Sequence, residues 1–252
     1  MTSFDRAVEF YDETRGFPPG VENQIAKTIQ QVGHLTKNSL IAEIGIGTGR
    51  IALPLAHLVK AIHGVDLSSG MLHKLRQKQH NEPVYVVQGA AEHLPYPTQA
   101  FDAVIVTHVF HLVQDLDRVQ QALRRVLKPK GILIHCWNTN DPTFGELRRI
   151  GYEAAHGNPQ DQSQWEKARM FHQIYNWQEI QRQTFTYYKQ QSPADFVEKF
   201  KRRIWSNTWN WTDEQIARGV MAMQAAINKQ YDDPTQPITE THVFNAVAFR
   251  PQ

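Results

Sequence analysis

The first half of the chain alternates short, continuously apolar runs with stretches in which apolar residues recur at helical spacing. The helical spacing predicts three helices. The first covers 48–60, the second begins after an N-cap at Ser68 or Ser69, and the third covers 115–127. Strands that are apolar throughout, and are separated by helices, are typical of a parallel sheet covered on both faces. The apolar runs predict five such strands, at 40–45, 61–66, 84–87, 103–106 and 131–137.

The pattern changes after Trp137. Alternating residues predict strands at 184–191 and 240–250, and amphipathic spacing predicts helices at about 193–203 and 212–230. Most tryptophans of the chain also lie in this half. Two interpretations of these rings are open: they form a packed core, or they line a cavity in a cap. The tryptophans concerned are Trp165, Trp177, Trp205, Trp209 and Trp211.

Composition limits the classes of partner. The 252 residues carry 27 Lys and Arg against 25 Asp and Glu, and the net charge of +2 gives no overall attraction to nucleic acid or anionic membranes. The cluster of cations at 199–203 is typical of a solvated helix face rather than of an RNA track. We therefore expect a small-molecule substrate and no nucleic acid.

The cysteine, the histidines and the N-terminal residues bear on the cellular compartment and on metal binding. Cys136 is the only cysteine, which excludes an intramolecular disulfide and a multi-cysteine zinc site. The N-terminus lacks a signal pattern, and no apolar run approaches the ~18 residues that a membrane span needs. The histidines do not show the spacing of metal ligands. These features predict a cytoplasmic protein with no membrane span and no metal.

A glycine-rich turn joins the first strand to its helix, since residues 43–49 read Glu-Ile-Gly-Ile-Gly-Thr-Gly. Such a turn lets a ligand approach the backbone without meeting a Cβ atom, and it points free helix N–H groups at that ligand. The third glycine comes one residue earlier than in the dinucleotide motif G-x-G-x-x-G, and no P-loop Lys-Ser/Thr pair follows. Asp66, at the end of the second strand, can accept hydrogen bonds from both hydroxyls of a ribose. The turn and this acid together predict a nucleoside ligand.

Four segments in order resemble the motifs of class I S-adenosylmethionine-dependent methyltransferases, and among these the small-molecule branch similar to enzymes of ubiquinone and menaquinone biosynthesis. The resemblance implies S-adenosylmethionine as the cofactor and methyl transfer to a small organic molecule as the function. It says nothing about which acceptor is used. The segments that carry the resemblance are 43–49, 64–72, 89–97 with 101–104, and 127–133.

The same resemblance implies an α/β fold with a doubly wound, seven-stranded, mostly parallel sheet of Rossmann-like type and with helical cap segments. We expect a single methyltransferase domain over 1–252. Within it we expect an N-terminal helical cover at 1–35 and a cofactor-binding core at 40–137. Helical cap insertions are expected within 140–240, and a final antiparallel strand at 240–250.

The resemblance also assigns cofactor contacts around the turn. Gly45, Gly47 and Gly49 would pass beneath the methionine moiety and the adenosine. Glu43 would organise the turn and contact the amino group of the cofactor, usually through water. Asp66 would hold the ribose hydroxyls.

Further contacts are implied on either side of the turn. Ala90 stands where the family often has an acidic or polar residue, which is a departure from the motif. The residues implied at the adenine are Leu67, Met71, Ala91 and Glu92. Those implied on the methionine side are Thr107 and His108. From the N-terminal stretch, Tyr11 would pack near the sulfonium and Arg15 would bind the cofactor carboxylate. The alternative for this stretch is a surface helix.

Methyl transfer from a sulfonium is an in-line displacement, in which the protein mainly aligns the acceptor with the methyl group and removes water. A base is needed only if the acceptor carries a proton at its reactive atom. His111, near the end of the fourth strand, is the candidate because an imidazole can take a proton near neutrality. The alternative is that His108 and His111 are both structural.

Two other functions remain open from the sequence. A nicotinamide-dependent oxidoreductase would share the sheet and the ribose acid, but it needs the longer glycine spacing. A non-catalytic module that binds S-adenosylmethionine would share the whole cofactor site. The acceptor atom, which is oxygen, nitrogen or carbon, is open as well.

Overall fold

The structure is a computed structural model that describes residues 4–139, 142–156 and 163–252. The side chain of Trp165 lies outside the described residues. The seven strands are β1 (Leu40–Ile44), β2 (Ala61–Asp66), β3 (Val84–Gln88), β4 (Phe101–Thr107), β5 (Leu127–Thr139), β6 (Trp177–Gln191) and β7 (Ile238–Pro251). The helices in the described ranges are α1 (Tyr11–Arg15), α2 (Val21–Val32), α3 (Ala52–Ala56), α4 (Ser69–Lys78), α5 (Leu116–Val126), α6 (Gly145–His156), α7 (Ser163–Arg169), α8 (Phe171–Ile174), α9 (Pro193–Lys201) and α10 (Asp213–Gln230).

All seven strands form one sheet in the order β3-β2-β1-β4-β5-β7-β6. The first five strands pair in parallel, and the last strand of the chain lies between β5 and β6, so that the sheet is mostly parallel with one antiparallel hairpin. The predicted doubly wound, seven-stranded sheet is therefore confirmed. The strand order reverses between β1 and β4, and ligands of such sheets bind at the carboxyl ends of the strands at this point.

The chain divides into two compact units. The first comprises residues 1–138, 163–185 and 244–252 and contains β1 to β4, most of β5, and α1 to α5. Its core follows the predicted periodicities, because Val119, Leu123 and Val126 of α5 are fully buried. That helix begins where the sequence predicts, at an N-cap whose carboxylate accepts the N–H of Arg118 at 2.9 Å.

The second unit comprises residues 139–162 and 186–243 and is built on α6, α9 and α10. Two rings of the tryptophan-rich half, Trp205 and Trp211, pack in its core with Phe196 and Phe200. Trp177 is buried in the core of the first unit. These positions favour the core interpretation of the aromatic residues over the cavity interpretation.

Two elements differ from the sequence predictions. The helix predicted over 48–60 is confined to α3, because Gly49 adopts a left-handed φ of 75° that keeps the preceding residues in the turn. At the other end, the N–H of Lys60 donates to the carbonyl oxygen of Ser39 at 3.0 Å and brings the chain into β2. The strand predicted from Thr184 begins earlier, at Trp177, and the segment before it is helical.

Helices α6 and α10 approach closely where Gly151 faces Gly219. A Cβ atom at Gly219 would lie 2.8 Å from the carbonyl oxygen of Gly151 and 2.7 Å from the ring of Phe200. We expect Gly219→Ala to lower the free energy of unfolding by a net ~1–2 kcal/mol, because overpacking costs up to about 3 kcal/mol and the higher helix propensity of alanine recovers ~1 kcal/mol. Urea unfolding followed by circular dichroism measures the change.

Gly145→Ala is the matched control, since no atom of the described residues lies within 4 Å of a Cβ atom built at that exposed position of α6. We expect it to be neutral or slightly stabilising. Equal stability of the Gly219→Ala variant and the wild type would show that the two helices are not packed as described.

Candidate functional site

The glycine turn lies at the carboxyl end of β1. Gly45, Gly47 and Gly49 have left-handed φ values of 70°, 55° and 75°, which a side chain would strain. A Cβ atom at Gly45 would lie 2.4 Å from Cγ2 of Val109, whereas at Gly47 its nearest neighbour would be 4.0 Å away. The turn is therefore packed on the side of Gly45 and open at Gly47, where a ligand can approach the backbone.

Asp66 ties this turn to the end of β2. One carboxylate oxygen accepts the N–H of Gly47 at 2.8 Å, and the other accepts the N–H of Ser68 at 2.9 Å. Burial raises the pKa of Asp66, and these two N–H groups oppose the rise. Because a carboxylate offers about four acceptor sites, Asp66 keeps acceptor capacity for a ligand hydroxyl group.

Glu43 is the last residue but one of β1, and its side chain is only 2% exposed. Within the described part of the chain its Oε2 atom is buried without a hydrogen-bond partner. Burial raises the pKa of Glu43 to about 8, an effect opposed by the charge of Arg50 and reinforced by that of Asp66. The carboxyl group is therefore mostly protonated at pH 7.

A cavity of about 20 Å³ lies above the turn. This volume is comparable to that of one water molecule, and a covering segment from the N-terminal part of the chain contributes Tyr11 to the lining. Five of the predicted cofactor residues line the cavity, together with Arg50, which the sequence did not single out as a ligand. The lining residues in question are Tyr11, Glu43, Gly45, Gly47, Thr107 and Arg50.

The covering segment is α1 and the residues after it. Asp12 accepts a hydrogen bond from the hydroxyl group of Thr48 at 2.5 Å and forms an ion pair with Lys78 at 2.8 Å. The guanidinium group of Arg50 lies over the rings of Phe17 and Tyr11, at 4.8 and 5.7 Å from their centroids. These contacts attach the N-terminal segment directly to the glycine turn.

Arg50 and Arg15 have different surroundings. Arg50 lines the cavity and donates a hydrogen bond to the carbonyl oxygen of Arg15. The charges of both arginines act on His108, and that of Arg15 acts on His111 as well; in each case they disfavour the protonated imidazole. The available sequence signal for Arg50 was its position directly after the third glycine, which places its side chain beside the turn.

The residues predicted at the adenine do not line this cavity. Met71 and Ala91 are buried, and the backbone carbonyl of Leu67 accepts a hydrogen bond from the side-chain amide of Gln88 at 2.9 Å. Glu92 is 8% exposed, and its Oε2 atom has no hydrogen-bond partner among the described residues. Their roles stay predictions.

Two histidines follow β4. His108 has a left-handed φ of 56°, which is strained for a residue with a side chain. Its Nε2 atom lies 3.4 Å from the side-chain nitrogen Nδ2 of Asn138. His111 lies in the 3₁₀ turn Phe110–Leu112. Burial lowers the pKa of His108 to about 3 and that of His111 to about 4. Both imidazoles are therefore neutral at pH 7, and a neutral imidazole can accept a proton.

The structure brings together a second pair of histidines that the sequence pattern does not predict. Nδ1 of His135 on β5 lies 2.8 Å from Nε2 of His172 on α8, and the ring of His172 stacks on Phe249 at 3.5 Å. Burial lowers the pKa of His172 to about 3, and the charge of Arg182 acts in the same direction. The pKa of His135 is also well below its usual value because of burial.

These lowered pKa values predict that acid destabilises the protein. Unfolded histidines take up protons as the pH falls through about 6.5, whereas the buried ones stay neutral until about 3–4. The stabilisation is thus complete above pH 6.5 and is lost as the pH falls below it. Each such histidine contributes up to about 1.4 kcal/mol per pH unit, measurable as urea midpoints between pH 7 and 5.

His172→Gln keeps a hydrogen-bonding group but removes one titrating site, so the slope of stability against pH should be shallower. His80→Gln, at an exposed position, should retain the wild-type slope. A stability that is constant between pH 7 and 5 in the wild type would contradict the assignment of buried, neutral histidines.

Two absences hold for residues 4–139, 142–156 and 163–252. Within them, no helix combines the length and apolar character needed to cross a membrane. No group of three or more His, Cys, Asp or Glu side chains in the same ranges is arranged to hold a metal ion.

Sequence comparison relates part of the chain to known methyltransferases. A sequence profile described as a methyltransferase domain matches residues 42–135, which include the glycine turn, Asp66 and both histidines after β4. The chain is also 27% identical over 191 residues to YcgJ, an uncharacterized methyltransferase of Bacillus subtilis, covering 72% of this chain and 73% of that protein. Residues 42–135 thus match a methyltransferase domain, and these matches support S-adenosylmethionine-dependent methyl transfer of the class I type.

A second similar protein is the demethylmenaquinone methyltransferase of Lactobacillus johnsonii. The chain is 28% identical to it over 159 residues, covering 60% of this chain and 64% of the relative. The chain thus spans less than two thirds of that relative's length. Neither a nicotinamide-dependent oxidoreductase nor a non-catalytic module is favoured by these matches.

A solved structure shows the same fold. A protein of Anaeromyxobacter dehalogenans, provisionally assigned as a type II methyltransferase, superposes with a TM-score of 0.65 over 88% of this chain and 94% of its own. The two sequences are 18% identical. At this identity the similarity concerns the fold of the methyltransferase alone.

Proposed function

We propose that this methyltransferase binds S-adenosylmethionine at the glycine turn and passes its methyl group to a small organic acceptor through an oxygen, nitrogen or carbon atom. One observation carries the proposal: the turn that is open at Gly47, the acceptor atoms of Asp66 and the unpartnered carboxyl group of Glu43 meet where the strand order reverses. This donor and acceptor set fits a nucleoside that carries an amino acid.

Each residue of the site can meet one part of that cofactor. Asp66 accepts hydrogen bonds from the ribose hydroxyls, and the backbone at Gly47 lies against the ligand. Glu43 meets the ammonium group, while the guanidinium of Arg50 pairs with the carboxylate of the cofactor. Arg15 is thereby left to act on the acceptor side, near His111.

The cofactor supplies a methyl group that is already activated as part of a sulfonium. The protein contributes alignment and exclusion of water, because an in-line displacement is accelerated when the reactants are held in place in a dry site. Tyr11 and Phe17, attached to the turn through Arg50, cover the site for this purpose. Leu67, Met71, Ala91 and Glu92 are proposed to hold the adenine.

His111 is proposed as the base for acceptors that carry a proton at their reactive atom. Burial and the charge of Arg15 lower its pKa to about 4, so the imidazole is neutral at pH 7 and is a weak base that does not keep the proton it takes up. This proton is therefore released readily after turnover. His108, paired with Asn138, borders the same space.

Charge and cysteine chemistry support a small-molecule acceptor and a cytoplasmic setting. Two members of the basic cluster, Lys201 and Arg203, pair with Glu198 and Asp213 at 3.5 and 2.5 Å, which reduces the field available to a polyanion. Cys136 is a free thiol buried in the sheet, as suits a reducing compartment.

A turnover panel tests the proposal. S-Adenosylmethionine carrying a labelled methyl group is incubated with the protein and with phenols, amines, quinols and carboxylic acids. We expect labelled product and S-adenosylhomocysteine to form with at least one acceptor class. Tight binding of the cofactor without turnover on any class would favour a non-catalytic module, and tight binding of NAD alone would favour an oxidoreductase.

A further inference from the structure

Glu43 is an unusual carboxyl group because it lines the cavity at the glycine turn and yet keeps a buried oxygen atom without a partner among the described residues. The residue lies on β1 between the neighbouring strands β2 and β4, opposite Gly64 and Ile105. Its side chain lines the cavity together with Thr107, and its Oε2 atom has no hydrogen-bond partner among the described residues. An ionised carboxylate in such a place is costly, so the group holds a proton instead.

The groups that face Glu43 come from every element around it. Arg50, from the turn, attracts the ionised form, whereas Asp66, at the end of β2, repels it. Cys136, on β5, is a neutral thiol whose pKa is raised by burial and by Glu43. Burial outweighs the attraction of Arg50, and the pKa of Glu43 is about 8.

We propose that Glu43 selects ligands by proton exchange: its carboxyl group is neutral in the free protein and loses its proton to solvent when the ammonium group of the cofactor binds beside it. The inference rests on the proposed function. No covalent bond to carbon changes in this step, since one O–H bond breaks and a carboxylate–ammonium pair forms. The ligand class selected is a nucleoside thioether or sulfonium that carries an α-amino acid.

The exchange has two measurable consequences. At pH 6.5 an α-amino group with a pKa of about 7.7–8.0 is an ammonium ion, so each bound S-adenosylhomocysteine should expel close to one proton. The association constant should then rise about tenfold per pH unit between pH 5.5 and 6.5. 5′-Methylthioadenosine, which lacks the amino acid, should bind without releasing a proton.

Isothermal titration calorimetry of S-adenosylhomocysteine at pH 6.5, in buffers of different ionisation enthalpy, counts the protons released. We expect about one for the wild type and none for Glu43→Gln, in which the neutral form is permanent. Glu9→Gln, at a side chain that is 91% exposed, is the matched control and should behave as the wild type does. His108 and His111 are neutral at this pH and do not contribute.

The inference is overturned if the wild type binds S-adenosylhomocysteine without releasing protons, or if Glu43→Gln releases as many as the wild type. Should that variant not fold, the comparison of S-adenosylhomocysteine with 5′-methylthioadenosine on the wild type decides, because equal proton release from both ligands contradicts the exchange. If the wild type binds no S-adenosylhomocysteine at all, the proposed function itself fails, and the inference with it.

Discussion

Asp66→Ala is expected to weaken the binding of S-adenosylhomocysteine by about 100-fold or more. The substitution removes the acceptor that we propose for the ribose hydroxyls, and each hydrogen bond to a charged group contributes about 1.5–3 kcal/mol. It also leaves the N–H groups of Gly47 and Ser68 without their acceptor, which loosens the turn at its open side. Isothermal titration calorimetry at pH 7 gives the change in the dissociation constant.

Two controls separate charge from folding in this experiment. Asp66→Asn preserves the shape of the side chain and should show an intermediate loss, because one oxygen can still accept a hydrogen bond. Asp232→Ala, at an exposed position, should bind as the wild type does. An affinity of Asp66→Ala within a factor of about three of the wild type would contradict the role of Asp66 at the ribose.

His111→Gln should lower kcat by about 100-fold for an acceptor with an O–H or N–H group at its reactive atom, which is the usual scale of general base catalysis. The affinity for S-adenosylhomocysteine should stay the same, since His111 does not line the cavity at the turn. Initial rates with the acceptor found in the turnover panel, together with calorimetry, measure the two quantities separately.

The pH profile gives a further readout of the same residue. Because the pKa of His111 is about 4, wild-type kcat should not fall through pH 6.5 as it would with an ordinary histidine. His73→Gln, on the exposed face of α4, is the matched control and should keep full activity. An unchanged kcat of His111→Gln would leave His111 a structural residue.

The sheet was predictable because local patterns determine it. Five continuous apolar runs mark the parallel strands, and Asp115 marks the start of α5 through its hydrogen bond to the backbone. Helix α6 is different, because the need for a small residue at Gly151 comes from its contact with Met223, far along the chain. Single-sequence periodicity carries no information about such a contact, so this region could not be assigned.

The candidate site, too, has one part that the sequence predicts and another that it does not. Glu43, Gly47 and Asp66 belong to short motifs whose spacing reflects one strand–turn–helix unit and the strand beside it, and the structure brings them together. The pairing of His135 with His172 joins residues 37 positions apart. It depends on how α8 packs on β5, which the sequence does not display.

The most direct test of the cofactor assignment is a calorimetric titration of the wild-type protein with S-adenosylhomocysteine and, separately, with NAD. The open backbone at Gly47, the acceptors of Asp66 and the carboxyl group of Glu43 predict one molecule of S-adenosylhomocysteine bound per chain, and no measurable binding of NAD. Tight binding of NAD together with no binding of S-adenosylhomocysteine would contradict the account.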